Sequence, residues 1–180
     1  MKRVVVGSRK SAHKFESSEP YAVISFVGSW MGRCDTPPRI RRPPSMLARI
    51  IIRCDDCRPS RLEELDPESH PMSLRQAERV AAFIGKMAPH IDTVFIHCEQ
   101  GIGRSPAAGK AICEFYGVPM ENIGEYASEN RRPNDYVQAL VASALRNDRQ
   151  ERQGTRVRKI SIPDVNGDDE ATQRRTTRSG

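Results

Sequence analysis

A nine-residue segment near the middle of the chain constrains the fold more than any other feature. It has the sequence His-Cys-Glu-Gln-Gly-Ile-Gly-Arg-Ser and occupies residues 97–105. The β-rich run from Thr93 to His97 leads into it and predicts a strand. Pro106 follows it directly, and proline suits the first turn of a helix. We therefore predict a strand, a tight loop, and a helix from about Ser105 to Tyr116 that ends at Gly117.

The loop has the composition needed to hold a phosphate group. A loop between a strand and a helix presents successive backbone N–H groups to one concavity, and the helix N-terminus adds positive charge. Two glycines allow torsions and close approaches that side chains would hinder. The arginine supplies a planar fork that matches two phosphate oxygens, so we expect no metal or other cofactor. Six consecutive residues are predicted to bind the substrate: Glu99, Gln100, Gly101, Ile102, Gly103 and Arg104.

The same environment predicts a nucleophile at Cys98. Helix N-termini and nearby cations favour the thiolate form of cysteine, and a thiolate can attack phosphorus to form a cysteinyl-phosphate. Ser105 can donate a hydrogen bond to the sulfur as it leaves in the second step. His97 is expected to orient the loop from behind through hydrogen bonds rather than to transfer a proton. Cys98, Arg104 and Ser105 are thus predicted catalytic residues, and His97 is a supporting one.

In its strand–loop–helix context, this string resembles the signature of the protein tyrosine phosphatase superfamily, and more closely that of the compact dual-specificity branch. The low-molecular-weight branch carries its motif near the N-terminus, whereas here it lies mid-chain. The resemblance covers roughly Tyr21 to Leu145. It implies the phosphatase fold, a phosphocysteine intermediate and an aspartate general acid on an upstream loop. The run from Pro133 to Leu140 also resembles the family's final helix, where an Asn near the start braces the phosphate loop. This implies a supporting role for Asn134.

Three upstream aspartates are candidates for the general acid, which protonates the leaving oxygen. The resemblance favours an Asp that follows a strand in the pattern apolar-x-apolar-x-Asp, and the segment from Ile52 to Asp56 satisfies it. Asp55 would take the role if the strand were shifted by one residue. Asp66 has a shorter spacing to Cys98, closer to that of many dual-specificity enzymes. For each of the three, the alternative is a solvated loop aspartate without a catalytic role.

The rest of the pattern predicts an α/β domain with a central, mostly parallel sheet flanked by helices. Further strands are predicted at Val4–Val6, Tyr21–Val27 and Leu47–Cys54, and the apolar run of the last one predicts burial on both faces. A helix is predicted from Ser73, capped with Gln76, to Ala88. Its apolar face is formed by Leu74, Ala77, Ala81, Ile84 and Ala88. Additional helices are predicted at Glu121–Ser128 and Asn134–Leu145, and loops at Gly28–Pro44 and Asp55–Pro71.

A change of composition near Arg146 predicts the end of the domain. Residues 146–180 contain nine Lys or Arg and six Asp or Glu and have almost no apolar periodicity. Such segments do not bury enough apolar surface to fold. We therefore predict a phosphatase domain at 1–146 and a basic, disordered tail at 147–180.

Five cysteines at irregular spacing do not indicate a disulfide framework. Cys54 and Cys57 have a metal-like spacing, but zinc normally requires a second pair of ligands, so no metal site is predicted. A disulfide between Cys98 and Cys54, Cys57 or Cys113 under oxidation is an alternative role for these thiols. No apolar run reaches the ~20 residues of a membrane helix, so a cytoplasmic protein without membrane contact is expected.

The function expected from these features is hydrolysis of a phosphomonoester, with a phosphorylated protein as the partner. Lipid-phosphatase members of the superfamily that the chain resembles tend to carry lysines at the variable loop positions, and this chain has none there. The resemblance therefore favours a protein phosphotyrosine or dual-specificity phosphatase, and Glu99 would also repel a polyanionic head group. Two alternatives stay open: a catalytically weak phosphate-binding module of the same fold, and an RNA 5′-phosphatase. The net charge of +6 is compatible with nucleic acid but does not favour it over phosphorylated protein.

Overall fold

Parallel strands form the central sheet of the protein, whose computed structural model describes residues 1–30, 33–34, 36–59, 69–124 and 132–160. The strands are β1 (Arg3–Ser8), β2 (Tyr21–Val27), β3 (Ser29–Trp30), β4 (Arg33–Cys34), β5 (Met46–Arg53), β6 (Thr93–Cys98) and β7 (Met120–Asn122). The main sheet has five strands in the order β5-β2-β6-β1-β7, and every neighbouring pair is parallel. The predicted central parallel sheet is therefore confirmed.

Four helices flank this sheet within the described residues: α1 (Arg9–Lys14), α2 (Leu74–Met87), α3 (Arg104–Tyr116) and α4 (Asp135–Ile160). Ser73 caps α2 and forms the predicted capping box with Gln76. Gly117 ends α3 in the left-handed conformation, with φ of 66°. Both helix ends were predicted from the sequence, because capping depends on a few neighbouring residues.

The two faces of the sheet bury separate sets of side chains. On one face Val6, Ile24 and Ile96 join the larger core with residues of α2, α3 and α4. On the other face Val23 and Phe95 form a smaller cluster. Strand β6 lies in the middle of the sheet and is buried along its whole length. Its C-terminal residue is therefore held by neighbours on both sides at the edge where parallel sheets bind ligands.

The prediction that the strand near Leu47–Cys54 is buried on both faces is wrong. Strand β5 is at the edge of the sheet and pairs with β2 alone. Of its eight residues only Ile52 is fully buried, and Leu47 is 49 % exposed. An apolar run does not distinguish an edge strand from a central one, because that depends on the strand order. Leu74, predicted on the buried face of α2, is likewise 52 % exposed.

The predicted helix at Glu121–Ser128 is wrong at its start. Glu121 and Asn122 lie in β7, which pairs with β1 and completes the sheet. Residues 125–131 lie outside the described residues. The predicted loop at Gly28–Pro44 contains a short antiparallel pair, β3 with β4, that no turn motif had indicated. In both places the strand is specified by its partner rather than by its own short sequence.

The domain boundary predicted at residue 146 falls inside α4, which continues to Ile160. Contacts with the rest of the protein explain why the polar sequence is helical here. The guanidinium of Arg149 lies 4.0 Å from the ring centroid of Phe115. Arg152 donates hydrogen bonds to Asp148 and to the carbonyl of Ala82. The part of the predicted tail from 161 to 180 lies outside the described residues. No helix in the described part of the chain is long and apolar enough to cross a membrane.

Candidate active site

The sulfur of Cys98 lies where β6 ends and where the loop of residues 99–103 begins, which is called the phosphate loop after its predicted role. The residue is 2 % exposed. The backbone N–H of Gly101 donates a hydrogen bond to its Sγ over 3.2 Å, and the Oγ of Ser105 lies 3.2 Å from the same atom. Helix α3 begins at Arg104, and its N-cap, Gly103, makes no side-chain cap. The sulfur thus lies beside donors that stabilise negative charge, as the sequence predicts.

The hydroxyl of Ser105 has two acceptors within reach but only one proton. Its Oγ lies 3.1 Å from the carbonyl oxygen of Gly7 and 3.2 Å from Cys98 Sγ. When the sulfur is a thiol, its S–H can donate to Oγ while the hydroxyl donates to Gly7. When the sulfur is a thiolate, the hydroxyl can turn to donate to it. This geometry is compatible with the role predicted for Ser105, which is to donate a hydrogen bond to the sulfur as the sulfur leaves.

Arg104 is buried at the start of α3 and joins two parts of the site. It is 6 % exposed, and its NH1 donates a 2.5 Å hydrogen bond to the carbonyl of Cys54. Its Nε is buried and has no hydrogen-bond partner among the described residues. A buried arginine N–H without a protein acceptor is suited to an anionic ligand. The bond to Cys54 also fixes the segment that carries two candidate general acids.

The outer side of the loop rests on the start of α1, a contact that the sequence did not reveal. Gly101 has φ of 78°, and a Cβ there would lie 2.8 Å from the backbone of Gly7 and of Ser8. Arg9 donates from its backbone N–H to the carbonyl of Glu99 over 3.0 Å. Its side chain also pairs with the Glu99 carboxylate at 3.2 Å. The charge of Glu99, predicted to face substrate, is therefore compensated by a neighbouring helix.

Two of the three candidate acids differ clearly in their surroundings. Asp55 is buried, and its carboxylate accepts a 2.7 Å hydrogen bond from the backbone of His70. Asp56 is exposed and lies against the phosphate loop, since a Cβ at Gly103 would be 2.5 Å from its carboxyl carbon. Asp66 lies outside the described residues. The structure thus brings Asp56 to the loop and gives Asp55 a backbone partner.

Asn134 connects the loop, the Asp56 carboxylate and helix α4. Its backbone N–H donates to the carbonyl of Gly103 over 3.3 Å. Its side-chain Nδ2 donates to Asp56 Oδ1 over 2.7 Å, and its Oδ1 accepts from the N–H of Val137 over 3.2 Å. Asn134 thus contacts the loop through its backbone N–H, as the predicted supporting role requires. The link to Asp56 was not anticipated.

His97 lies beneath the loop in a buried polar row that crosses three strands. Its Nε2 is 2.7 Å from the Oγ of Ser25, which accepts a 2.9 Å hydrogen bond from Arg49. Burial, together with the charge of Arg49, lowers the pKa of His97 to about 3, so the ring is neutral near pH 7. A neutral, hydrogen-bonded ring agrees with the orienting role predicted for it. A single serine within the apolar strand Tyr21–Val27 was the available signal for this row.

Three cysteines besides Cys98 have thiols that resist ionisation: Cys54, Cys57 and Cys113. Burial raises the pKa of Cys54 to about 12 and that of Cys113 to about 11. Burial also raises the pKa of Cys57, to which the charges of Asp55 and Asp56 contribute. All of these thiols and Cys98 are free. Within the described ranges, no group of three or more His, Cys, Asp or Glu side chains could hold a metal ion.

Comparison of the chain with protein-family models, with curated proteins and with solved structures gives no significant match.

Proposed function

We propose that the protein is a phosphomonoester hydrolase that acts through a cysteinyl-phosphate on Cys98. The observation that carries the proposal is the set of groups around this sulfur. A backbone N–H and a hydroxyl lie at hydrogen-bond distance from it, and a buried Arg104 follows at the start of α3 with its Nε unpaired among the described residues. Together these groups can stabilise a thiolate and hold a phosphate dianion above it.

In the first step the Cys98 thiolate attacks phosphorus as the bond to the ester oxygen breaks. That oxygen leaves with the bonding electron pair, and the carboxylic acid of Asp56 transfers its proton to it. Arg104 and the loop N–H groups stabilise the charge on the non-bridging oxygens. The products of this step are a free alcohol or phenol, a carboxylate at Asp56 and a phosphorylated Cys98.

In the second step water attacks the phosphocysteine. The Asp56 carboxylate accepts a proton from the attacking water, the phosphorus–sulfur bond breaks, and Cys98 leaves as a thiolate. Ser105 stabilises the departing sulfur by turning its hydroxyl hydrogen from the Gly7 carbonyl toward Sγ. Inorganic phosphate is released, and the acid and the nucleophile return to their starting states.

A phosphorylated protein is the substrate class that we propose, with phosphotyrosine or phosphoserine/threonine as the target. The variable loop side chains support it, because Glu99 and Gln100 are exposed and neither is a cation that would favour a polyanionic lipid. The resemblance to the dual-specificity branch implies the same substrates and also supports the proposal. Because a reactive thiol is better preserved in a reducing compartment than in an oxidising one, we propose that the protein acts in the cytoplasm.

The experiment that tests the proposal is hydrolysis of an aryl phosphate by the purified protein without added metal. We expect turnover by the wild type, none by Cys98→Ser, and retained binding of inorganic phosphate by that variant. Cys113→Ser is the matched control, and it should keep its activity. Phosphate binding without turnover by the wild type would favour the binding-module alternative, and unchanged activity of Cys98→Ser would refute the proposed nucleophile.

A further inference from the structure

The amide of Asn134 has a fixed orientation, which sets how it contacts Asp56. The backbone N–H of Val137 can only donate, so the side-chain atom that faces it is the amide oxygen. The amide nitrogen must then face Asp56, to which it donates over 2.7 Å. A flipped amide would lose both hydrogen bonds. The same side chain therefore caps α4 and holds the carboxyl group.

We infer that Asn134 is a positioning residue that determines which oxygen of Asp56 carries the catalytic proton. Asn134 Nδ2 has only donor hydrogens, so Asp56 Oδ1 accepts from it. In a neutral carboxyl group the carbonyl oxygen is a better acceptor than the hydroxyl oxygen, so this hydrogen bond favours the carbonyl at Oδ1 and the proton at Oδ2. Of the two oxygens, Oδ2 is the one nearer to the Cβ position of Gly103 in the phosphate loop. The favoured proton position is thus on the side of the carboxyl group that contacts the loop at Gly103.

This inference rests on the proposed function and extends it. In the first step the proton on Oδ2 moves to the leaving oxygen, and the negative charge left on Asp56 is stabilised by the Asn134 N–H. In the second step Oδ2 accepts the proton of the attacking water and the acid is regenerated. The hydrogen bond from Asn134 to Oδ1 stays in place throughout the cycle, so the carboxyl group of Asp56 has the same orientation in both steps.

Several other charged groups belong to the same part of the site and must be held constant in a test. Arg58 forms a 2.8 Å ion pair with Asp135, the residue after Asn134. Asp56 shares its surroundings with the charges of Asp55 and Arg104, since all three act on the thiols of Cys54 and Cys57. The titratable and charged neighbours are thus Asp55, Arg58, Asp135, Arg104, Cys54, Cys57 and Cys98. Changes at Asn134 alone leave each of these in place.

Two substitutions separate the positioning role from the helix cap. Asn134→Ser and Asn134→Asp both keep an oxygen that can accept from Val137, because Ser and Asp are good N-caps. Serine is too short to donate to Asp56, and aspartate replaces the donor with a second carboxyl group. Ser73→Ala is the control, since it removes the corresponding cap of α2. The kcat of each protein is measured on two aryl phosphates, one with a good and one with a poor leaving group.

We expect both Asn134 variants to lose roughly 10-fold or more in kcat on the poor leaving group, and little on the good one. The reason is that a good leaving group needs little protonation, whereas a poor one depends on a correctly oriented acid. Ser73→Ala should lower the melting temperature and leave kcat on both substrates unchanged.

An unchanged kcat on the poor leaving group in both Asn134 variants would overturn the inference. Equal losses on the two leaving groups would also overturn it, because they would show a structural role only. These outcomes differ from a failure of the proposed function, in which the wild type would not turn over either substrate or Cys98→Ser would remain active.

Discussion

Gly103→Ala is the substitution that most directly tests the contact between Asp56 and the phosphate loop. Gly103 has φ of −95°, so alanine causes no backbone strain. The added Cβ would lie 2.5 Å from the carboxyl carbon of Asp56 and 2.6 Å from its Oδ1, whereas real Cβ contacts essentially never fall below 3.0 Å. The methyl group therefore has one principal effect, which is to push the carboxyl group away from the loop.

The size of the expected effect follows from the displacement. Relief of the overlap requires Asp56 to move on the order of 1 Å, and a misplacement of that size can lower a catalytic rate about 10²-fold. A general acid as a whole contributes about 10²–10⁴-fold. We therefore expect kcat to fall about 10²-fold on an aryl phosphate with a poor leaving group. A good leaving group needs little protonation, so its loss should be much smaller.

The assay is a double-substitution cycle on both substrates, with Gly103→Ala, Asp56→Ala and the combined variant. If the methyl group acts through the acid, Gly103→Ala should cause little further loss once Asp56 is removed. Gly154→Ala is the matched control, because nothing lies within 4 Å of its Cβ position and the change is within α4. Additive losses in the cycle would refute the claim that the methyl group acts through Asp56. Equal losses of Asp56→Ala on the two substrates would refute a general acid at Asp56.

Three further predictions concern the groups around the loop. Gly101→Ala should lose both activity and about 1–2 kcal/mol of stability, measured by urea unfolding, because of the positive φ at this position and the overlap with the Gly7 backbone. The free energy of unfolding should fall as pH drops from 6.5 toward 3, by up to about 1.4 kcal/mol per pH unit, because His97 is neutral when folded and protonated when unfolded. A His97→Gln variant should lack that part of the slope, and an equal slope would contradict the assignment. Iodoacetamide at pH 7, followed by peptide mass analysis, should modify Cys54 and Cys113 slowly, since their pKa values are raised to about 12 and about 11. Rapid alkylation of either thiol would contradict this.

The parts of the fold that the sequence predicted correctly are those specified by neighbouring residues. The capping box at Ser73 and the left-handed Gly117 each depend on one turn of chain. The strand–loop–helix unit around Cys98 is also local, and the structure has it within one residue of the predicted ends. The edge position of β5 and the pairing of β7 depend on strands distant in the sequence, so pattern analysis did not predict them.

In the candidate site, too, local contacts were predicted from the sequence and distant ones were not. Cys98, Arg104 and Ser105 lie within one short segment of the chain, and their spacing alone indicated that they form one site. The bond from Asn134 to Asp56 joins residues 78 positions apart, and the pairing of Arg9 with Glu99 joins residues 90 positions apart. The choice between Asp55 and Asp56 depends on which of the two carboxylates points toward the loop. The backbone geometry after β5 determines this, and the sequence of two consecutive aspartates does not reveal it.

The central claim is that Cys98 carries the phosphoryl group during turnover, and direct capture of that intermediate is its sharpest test. Asp56→Asn should still react with an aryl phosphate that has a good leaving group but should hydrolyse the intermediate slowly, because no carboxylate activates water. Acid quenching during steady-state turnover, followed by peptide mass analysis, should then find one phosphoryl group on the peptide that contains Cys98. Turnover by this variant with phosphate on another residue, or Cys98→Ser turning over at the wild-type rate, would contradict the account.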